Sequence, residues 1–211
     1  DRMIDRNYSI RALAADALRR FQEPENASDP VSQAYIFHLK QDPSYQVRLS
    51  VLSCIEPSRH SLNEIIRKTR DVKAIVRKTA YIKLAETVSV KSLNIDQRLA
   101  LLKDGLNDRN EYVRKVVESR LLPVWLKAFD DDIIQFLIAL DIQSDPETFL
   151  KAMQVIFAQY LNQNDDKYGT KLHHFVNDFK EKHFDEKKII TKDHLSVEKT
   201  FLWRTLNCFI I

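Results

Sequence analysis

The chain is predicted to be all-α, a solenoid of stacked antiparallel helix pairs, and three observations carry that prediction. A pattern of Asp, four residues, Val or Ile, Arg, two residues, Ala or Val recurs along it. The copies are Asp5–Ile10–Arg11–Ala14, Asp42–Val47–Arg48–Val51, Asp71–Val76–Arg77–Ala80 and Asp108–Val113–Arg114–Val117, with a degraded fifth at Asp145–Leu150–Lys151. The Asp-to-Asp steps are 37, 29, 37 and 37, within the range of about 20–50 residues in which repetition marks a stacked array. Strand signals are missing: the 211 residues hold only two Gly, and no stretch sustains period-two alternation.

Each Asp precedes an apolar-periodic run, which makes it the expected helix N-cap. The apolar positions five and nine residues later share one helix face, and the Arg borders that face. Stacking identical units would set the Arg of one repeat beside the Asp of its neighbour, a ladder of charge-assisted hydrogen bonds. Other amphipathic segments, at about 31–41, 59–69, 94–106 and 131–141, each end shortly before the next Asp. The unit is therefore helix A, short turn, helix B, which is the HEAT/armadillo class. A single unit buries too little surface alone, so stability is a sum of repeat and interface terms.

Pro24, Pro30, Pro43 and Pro57 fall between predicted helices, as breakers should. Pro123 falls inside the helix from Arg109 to about Lys127 and is expected to kink or end it. After Tyr160 the register fades. Residues 162–169 read as a loop, and amphipathic helices are expected at about 170–184 and 193–210. Residues 1–160 thus form a solenoid segment of four to five repeats, and 161–211 a loop with further helices continuing it. The lack of an initiator Met, an opening inside a helix B and the apolar finish Cys208–Ile211 suggest a fragment of a longer solenoid.

With 44% apolar and 30% charged residues, the composition is globular and not disordered. No run approaches the roughly 20 apolar residues of a membrane span, and no signal peptide is present. Cys54 and Cys208 lie in helical patterns and are expected to be buried, reduced thiols. The aromatic residues Trp125, Phe129, Phe136, Phe157 and Trp203 sit at helical spacings and read as core, with a groove for an extended partner peptide as the alternative. His173 and His174 are adjacent, point to different sides of a helix and make a poor metal pair. The run Asp130–Asp132 fits a helix N-terminus. No phosphate-binding Gly loop, nucleophile elbow or catalytic carboxylate pair is recognisable, so no catalytic, cofactor or metal residue is nominated.

Charge is unevenly distributed. Residues 1–127 carry 23 basic and 16 acidic side chains, a net of +7; residues 128–211 carry 10 and 14, a net of −4. The densest basic segment is RKTRDVKAIVRK at 67–78. Setting Arg77 aside as the ladder residue, Arg67, Lys68, Arg70 and Lys73 are the candidates for sequence-independent contact with duplex-DNA phosphates. Free N–H groups at the helix start after Asp71 would add a docking point. Lys78 and its equivalent one repeat later, Lys115, could extend the stripe. The other reading of this segment is a solvated face. The Arg row itself (Arg11, Arg48, Arg77, Arg114) reads as structural because of its fixed phase with Asp.

The stretches RKTRDVKAIVRKTAYIKLAE (67–86), QRLALLKDGLNDRNEYVRKVV (97–117) and LLPVWLKAFDDDIIQFLIALDI (121–142) resemble the condensin G subunit (CAP-G) family, as does LRRFQEPENASDPVSQAYIFHLKQDPSYQVRLSVL (18–52). The resemblance covers about residues 5–160 and loosens beyond. It implies a non-enzymatic HEAT solenoid that clasps the kleisin subunit (CAP-H type) and, with it, holds double-stranded DNA in a basic groove for mitotic chromosome compaction. It assigns the ATPase to the SMC subunits of the holocomplex. It also implies a location in the nucleus and on mitotic chromosomes, and in the cytoplasm for part of the cell cycle. The matching basic motif carries over Arg67, Lys68, Arg70, Lys73 and Lys78. No membrane or small-molecule partner is implied.

Two rivals follow from the same fold. A protein-only adaptor of the import-receptor or phosphatase-scaffold type would not need the cations at 67–78. A HEAT-type DNA glycosylase would need a catalytic carboxylate beside lesion-cradling aromatics, and no such constellation is visible in the sequence.

Overall fold

The structure is a computed structural model and describes residues 2–162, 164–165, 169–184 and 196–210. It divides into two compact units, Asp1–Ala128 and Phe129–Ile211. The divide falls inside the span that the repeat register reads as continuous solenoid.

In the first unit the expected A and B helices alternate. The B series is α1 (Tyr8–Leu18), α3 (Tyr45–Cys54), α5 (Ala74–Thr87) and the pair α7 (Glu111–Val116) and α8 (Leu122–Lys127). The A series is α2 (Pro30–Gln41), α4 (Leu62–Arg67) and α6 (Ile95–Leu106). Short 3-10 turns precede α1 at Arg2–Ile4 and follow α4 at Lys68–Arg70. B helices pack on one another in order, α1 on α3, α3 on α5 and α5 on α7, while α2 packs on α3 and α4 on α5. The apolar positions of the repeat form the core: Val47, Val51, Val76, Ala80, Val113 and Val117 are all fully buried.

The predicted ladder is present. Arg11 donates to both carboxylate oxygens of Asp42 at 2.9 Å. Arg48 does so to Asp71 at 2.7 and 2.9 Å, and Arg77 to Asp108 at 2.6 and 2.8 Å. The Nη1 of each also donates backwards, to the main-chain carbonyl of its own repeat's Asp: Asp5 and Asp42 at 2.8 Å, Asp71 at 2.9 Å. Arg114 repeats this inner bond to the Asp108 carbonyl.

In the four full copies the repeated Asp is not the N-cap, whereas Asp145 of the degraded fifth stands directly before the helix at Pro146–Asn162 and accepts from the Thr148 N–H at 3.2 Å, as an N-cap does. In the full copies the Asp Oδ1 accepts from the backbone N–H two residues on, at 2.8–2.9 Å, in all four: Asn7, Ser44, Lys73 and Asn110. Those four residues are the N-caps. The Asp therefore fixes the A–B turn in an Asx arrangement, which leaves its carboxylate facing the preceding repeat. Burial pushes the carboxyls of Asp42, Asp71 and Asp108 up, yet the guanidinium and N–H donors hold all three below the usual value.

Pro123 does not end its helix. A π turn at Val117–Leu121 precedes it, with the Leu122 N–H reaching the Val117 carbonyl, and α8 continues with Pro123 in its first turn. The widened turn absorbs the donor that proline lacks. Gly105, inside α6, is a point of close approach: a Cβ there would lie 2.6 Å from Val117 Cγ2 and 3.0 Å from Tyr81 Cζ. Tyr81 is fully buried, and its hydroxyl donates to the Leu101 carbonyl at 3.0 Å.

The second unit contains α9 (Ile133–Ala139), α10 (Pro146–Asn162), α11 (Lys171–His183) and α12 (Val197–Ile210). Asp132 caps α9, accepting from the N–H groups of Ile134 and Gln135, as expected of the acidic run. Asp130 and Asp131 precede it in the left-handed region, with φ of 56° and 60°. The loop expected at 162–169 carries a two-residue antiparallel pairing, β1 (Asn164–Asp165) with β2 (Gly169–Thr170); residues 163 and 166–168 lie outside the described residues. Helix α12 starts at Val197, and 193–195 of the expected last helix also lie outside the described residues. Helices α11 and α12 pack on α10 through an aromatic cluster in which Phe179 and Trp203 stack at 5.7 Å.

Of the aromatics read as core, Trp125, Phe136 and Phe157 are buried, while Phe129 and Trp203 are half-buried. Cys54 is buried and donates to Asp16 at 3.0 Å; burial pushes its thiol up to about 11. Cys208 is exposed, against expectation, because its position on α12 faces outward.

Gly105→Ala is expected to lower stability by about 1–3 kcal/mol, since the methyl forces α6 away from Val117 and the Tyr81 ring; urea unfolding measures it. Acid should act through the rungs. Carboxyls with depressed folded values give stability that is complete above the unfolded value near 3.8 and is lost as pH falls through the folded values. The melting temperature should therefore hold from pH 6 to about 4 and drop steeply below.

Candidate nucleic-acid interface

The six candidate cations fall into two groups, set by the elements that carry them. Arg67 ends α4, Lys68 and Arg70 lie in the 3-10 turn after it, and Lys73 is the N-cap of α5. Lys78 on α5 and Lys115 on α7 occupy the same place in successive repeats, seven residues after Asp71 and Asp108.

Most of them are paired within the chain. Arg67 binds Glu64 at 2.8 Å and Arg70 binds Asp104 at 2.5 Å; both arginine side chains are about two-thirds exposed, while Glu64 is 13% and Asp104 34% exposed. Lys115 pairs with Glu111 across one helical turn, and that hydrogen bond raises its pKa. Exposed pairs of this kind are worth little and yield readily to a stronger anion. Lys68 differs. Its side chain is only 12% exposed and its ammonium sits 3.9 Å from Asp71; burial lowers its pKa while the Asp71 charge opposes that. Lys68 therefore supports the Arg48–Asp71 rung and is removed from the surface set. Arg77 is buried and consumed by its own rung.

Two candidates remain without an acidic partner among the described residues. Lys73 is exposed, with its ammonium 5.5 Å from the centre of the Tyr45 ring. Lys78 is half-buried on α5. The start of α5 adds to Lys73: no side chain caps it, so the first N–H groups, at Ala74 and Ile75, are free to meet an anion.

Sequence reasoning missed Lys103 and Arg109. With Arg70, Val72, Asp104 and Asn107 they line a shallow groove between the A–B turns of the third and fourth repeats. Arg109 donates to the Val72 carbonyl at 3.1 Å. Its signal was the ladder phase, since it directly follows Asp108 as Arg6 follows Asp5. The groove also holds Asp71, Asp104 and Asp108, so it is polar and mixed in charge. Among the described residues no group of His, Cys, Asp and Glu could hold a metal ion, and no helix is long and apolar enough to cross a membrane.

Paired helices, a fixed Asp–Arg phase and rungs between neighbours define a HEAT-repeat solenoid segment. No protein-family model matches the chain. It is 37% identical over 205 residues, 97% of its length, to condensin complex subunit 3 of Xenopus laevis, and 38% identical over 157 residues to that of Homo sapiens. The chain spans 19% and 16% of those relatives. The crystal structure of the S. pombe condensin Cnd3–Cnd2 subcomplex matches 98% of the chain with a TM-score of 0.78 and 30% identity, over 26% of the solved chain. The chain is a fragment of the condensin complex subunit 3 family.

Proposed function

We propose that this chain is a non-catalytic segment of a condensin HEAT subunit, and that it binds the kleisin subunit and, together with it, double-stranded DNA in mitotic chromosome condensation. The observation that carries the reading is the match of nearly the whole chain, in sequence and in fold, to a condensin subunit solved as a two-protein subcomplex. In this reading the protein works beside the SMC subunits, in the nucleus and on mitotic chromosomes, and in the cytoplasm for part of the cycle.

The phosphate contacts are Lys73 with the uncapped start of α5, Lys78, and the exposed cations Arg67, Arg70 and Lys115, which would exchange their carboxylates for phosphate. Lys103 and Arg109 extend the turn group. None of these groups reads base identity, so binding is to shape and charge. A second reading, a protein-only scaffold, is favoured by one observation: four of the six cations nominated from the sequence lie within ion-pair distance of the chain's own acids.

Duplex-DNA affinity by fluorescence anisotropy, across a salt series with and without a kleisin fragment, separates the two. Neutralising about four phosphates gives a slope of log affinity on log salt near −3.6. Binding should strengthen with the kleisin, and Lys73→Glu with Lys78→Glu should weaken it for all sequences alike and flatten the slope by about 0.9 each. Lys68→Glu should instead lower thermal stability, by placing a second carboxylate beside Asp71. Tight kleisin binding with no DNA affinity in either state supports the scaffold.

A further inference from the structure

Each A–B turn has two outward places, and the third and fourth repeats fill them differently from the first two. Position one after the ladder Asp is Arg6, Pro43, Val72 and Arg109 in turn, and position four is Ser9, Gln46, Ile75 and Tyr112. The fold therefore sets no apolar requirement at either place. Yet Val72 is 76%, Ile75 43% and Tyr112 66% exposed.

These side chains share one edge of the stack. Ile75 and Tyr112 hold the same register on α5 and α7, which pack on one another, so they lie about one interhelix spacing, ~8–10 Å, apart. Val72 adjoins Arg109, whose guanidinium reaches the Val72 carbonyl, and both line the groove that also holds Lys103. Cations border the apolar groups. Lys73 directly follows Val72, and Lys78 and Lys115 stand three residues after Ile75 and Tyr112, on the same helix face. The acids here are already engaged: Glu111 with Lys115, in an exposed pair that an incoming carboxylate can replace, and Asp71 and Asp108 in closed rungs.

Contact with phosphates alone would use the cations and leave the apolar side chains unoccupied. Exposed apolar groups bordered by charge of one sign fit a partner that offers both apolar side chains and carboxylates. Unpaired nucleobases would need flat platforms for stacking, but Val72 and Ile75 are aliphatic, and the ammonium of Lys73 already lies 5.5 Å from the centre of the Tyr45 ring.

We infer that Val72, Ile75 and Tyr112, with Lys73, Arg109 and Lys115, form a docking edge for an extended acidic polypeptide segment in which apolar residues are interleaved with Asp or Glu. The inference does not rest on DNA binding, because the side chains that decide it carry no charge.

The test uses the full-length protein containing this chain and a fluorescein-labelled peptide of about twelve residues, glutamate pairs alternating with leucine pairs. In an extended chain that pattern puts both residue types on each face. Anisotropy should show saturable binding, about tenfold or more tighter than to control peptides with serine for leucine or lysine for glutamate. Val72→Ser with Tyr112→Ser should weaken binding about tenfold and leave the melting temperature unchanged, since both side chains are largely exposed. Duplex-DNA affinity should not follow that change. Equal affinity for the glutamate–serine control overturns the inference, because charge alone would then account for binding. So does peptide affinity that the double variant leaves untouched. Absent peptide binding, with single-stranded oligonucleotide affinity lost in the double variant, also overturns it and makes unpaired bases the occupant.

Discussion

Each rung joins two repeats through one arginine that serves both. Arg77 shows the arrangement in full: Nε and Nη2 grip the Asp108 carboxylate, while Nη1 satisfies the carbonyls of Asp71 and Val72 in its own turn. The guanidinium therefore ties the geometry of its own A–B turn to the position of the next. Both side chains of that rung are only 6% exposed. Removing one partner from such a pair strands the other in a dry site, at a cost of about 3–5 kcal/mol. Lysine, a single point charge, cannot make the same four bonds. The spacing of Asp and Arg is the consequence, because the turn and the rung each fix one end of a six-residue interval.

The same constraint governs the surface. A sequence with +7 net charge over residues 1–127 suggests a broad basic face, but Arg11, Arg48 and Arg77 are held in rungs with side chains 6–12% exposed, and Lys68 is drawn in beside Asp71. Of the cations nominated from the sequence, what reaches solvent is smaller: Lys73 at an uncapped helix start, Lys78 in part, and Arg67, Arg70 and Lys115 in exchangeable pairs. Any polyanion that binds the first unit must compete with Glu64, Asp104 and Glu111 for three of them.

The ladder, the helix pairs and the acidic cap at Asp132 were legible in the sequence because each has a local pattern. What was not legible depends on neighbours. In the four full copies the role of the repeated Asp was misplaced by two residues, since an Asx turn and an N-cap share the same sequence cue and differ only in which N–H is bound. Pro123 was read as a kink or an end; the helix does not end there, and the π turn that precedes it leaves no trace in residue identity. Gly105 gave no signal of its own, being a contact point between α6, Tyr81 and Val117 that only the packed helices reveal. The site was half legible: cation density marked 67–78, while pairing, burial and the contribution of Arg109 required the fold.

The central claim, that the rungs hold the stack, is tested most directly by a double-mutant cycle on Arg48 and Asp71 in urea unfolding. Arg48→Ala, Asp71→Ala and the double variant should show a coupling free energy of about 1.5–3 kcal/mol. Additivity to within about 0.3 kcal/mol would contradict it, and would mean that apolar packing of the B helices alone sets the register.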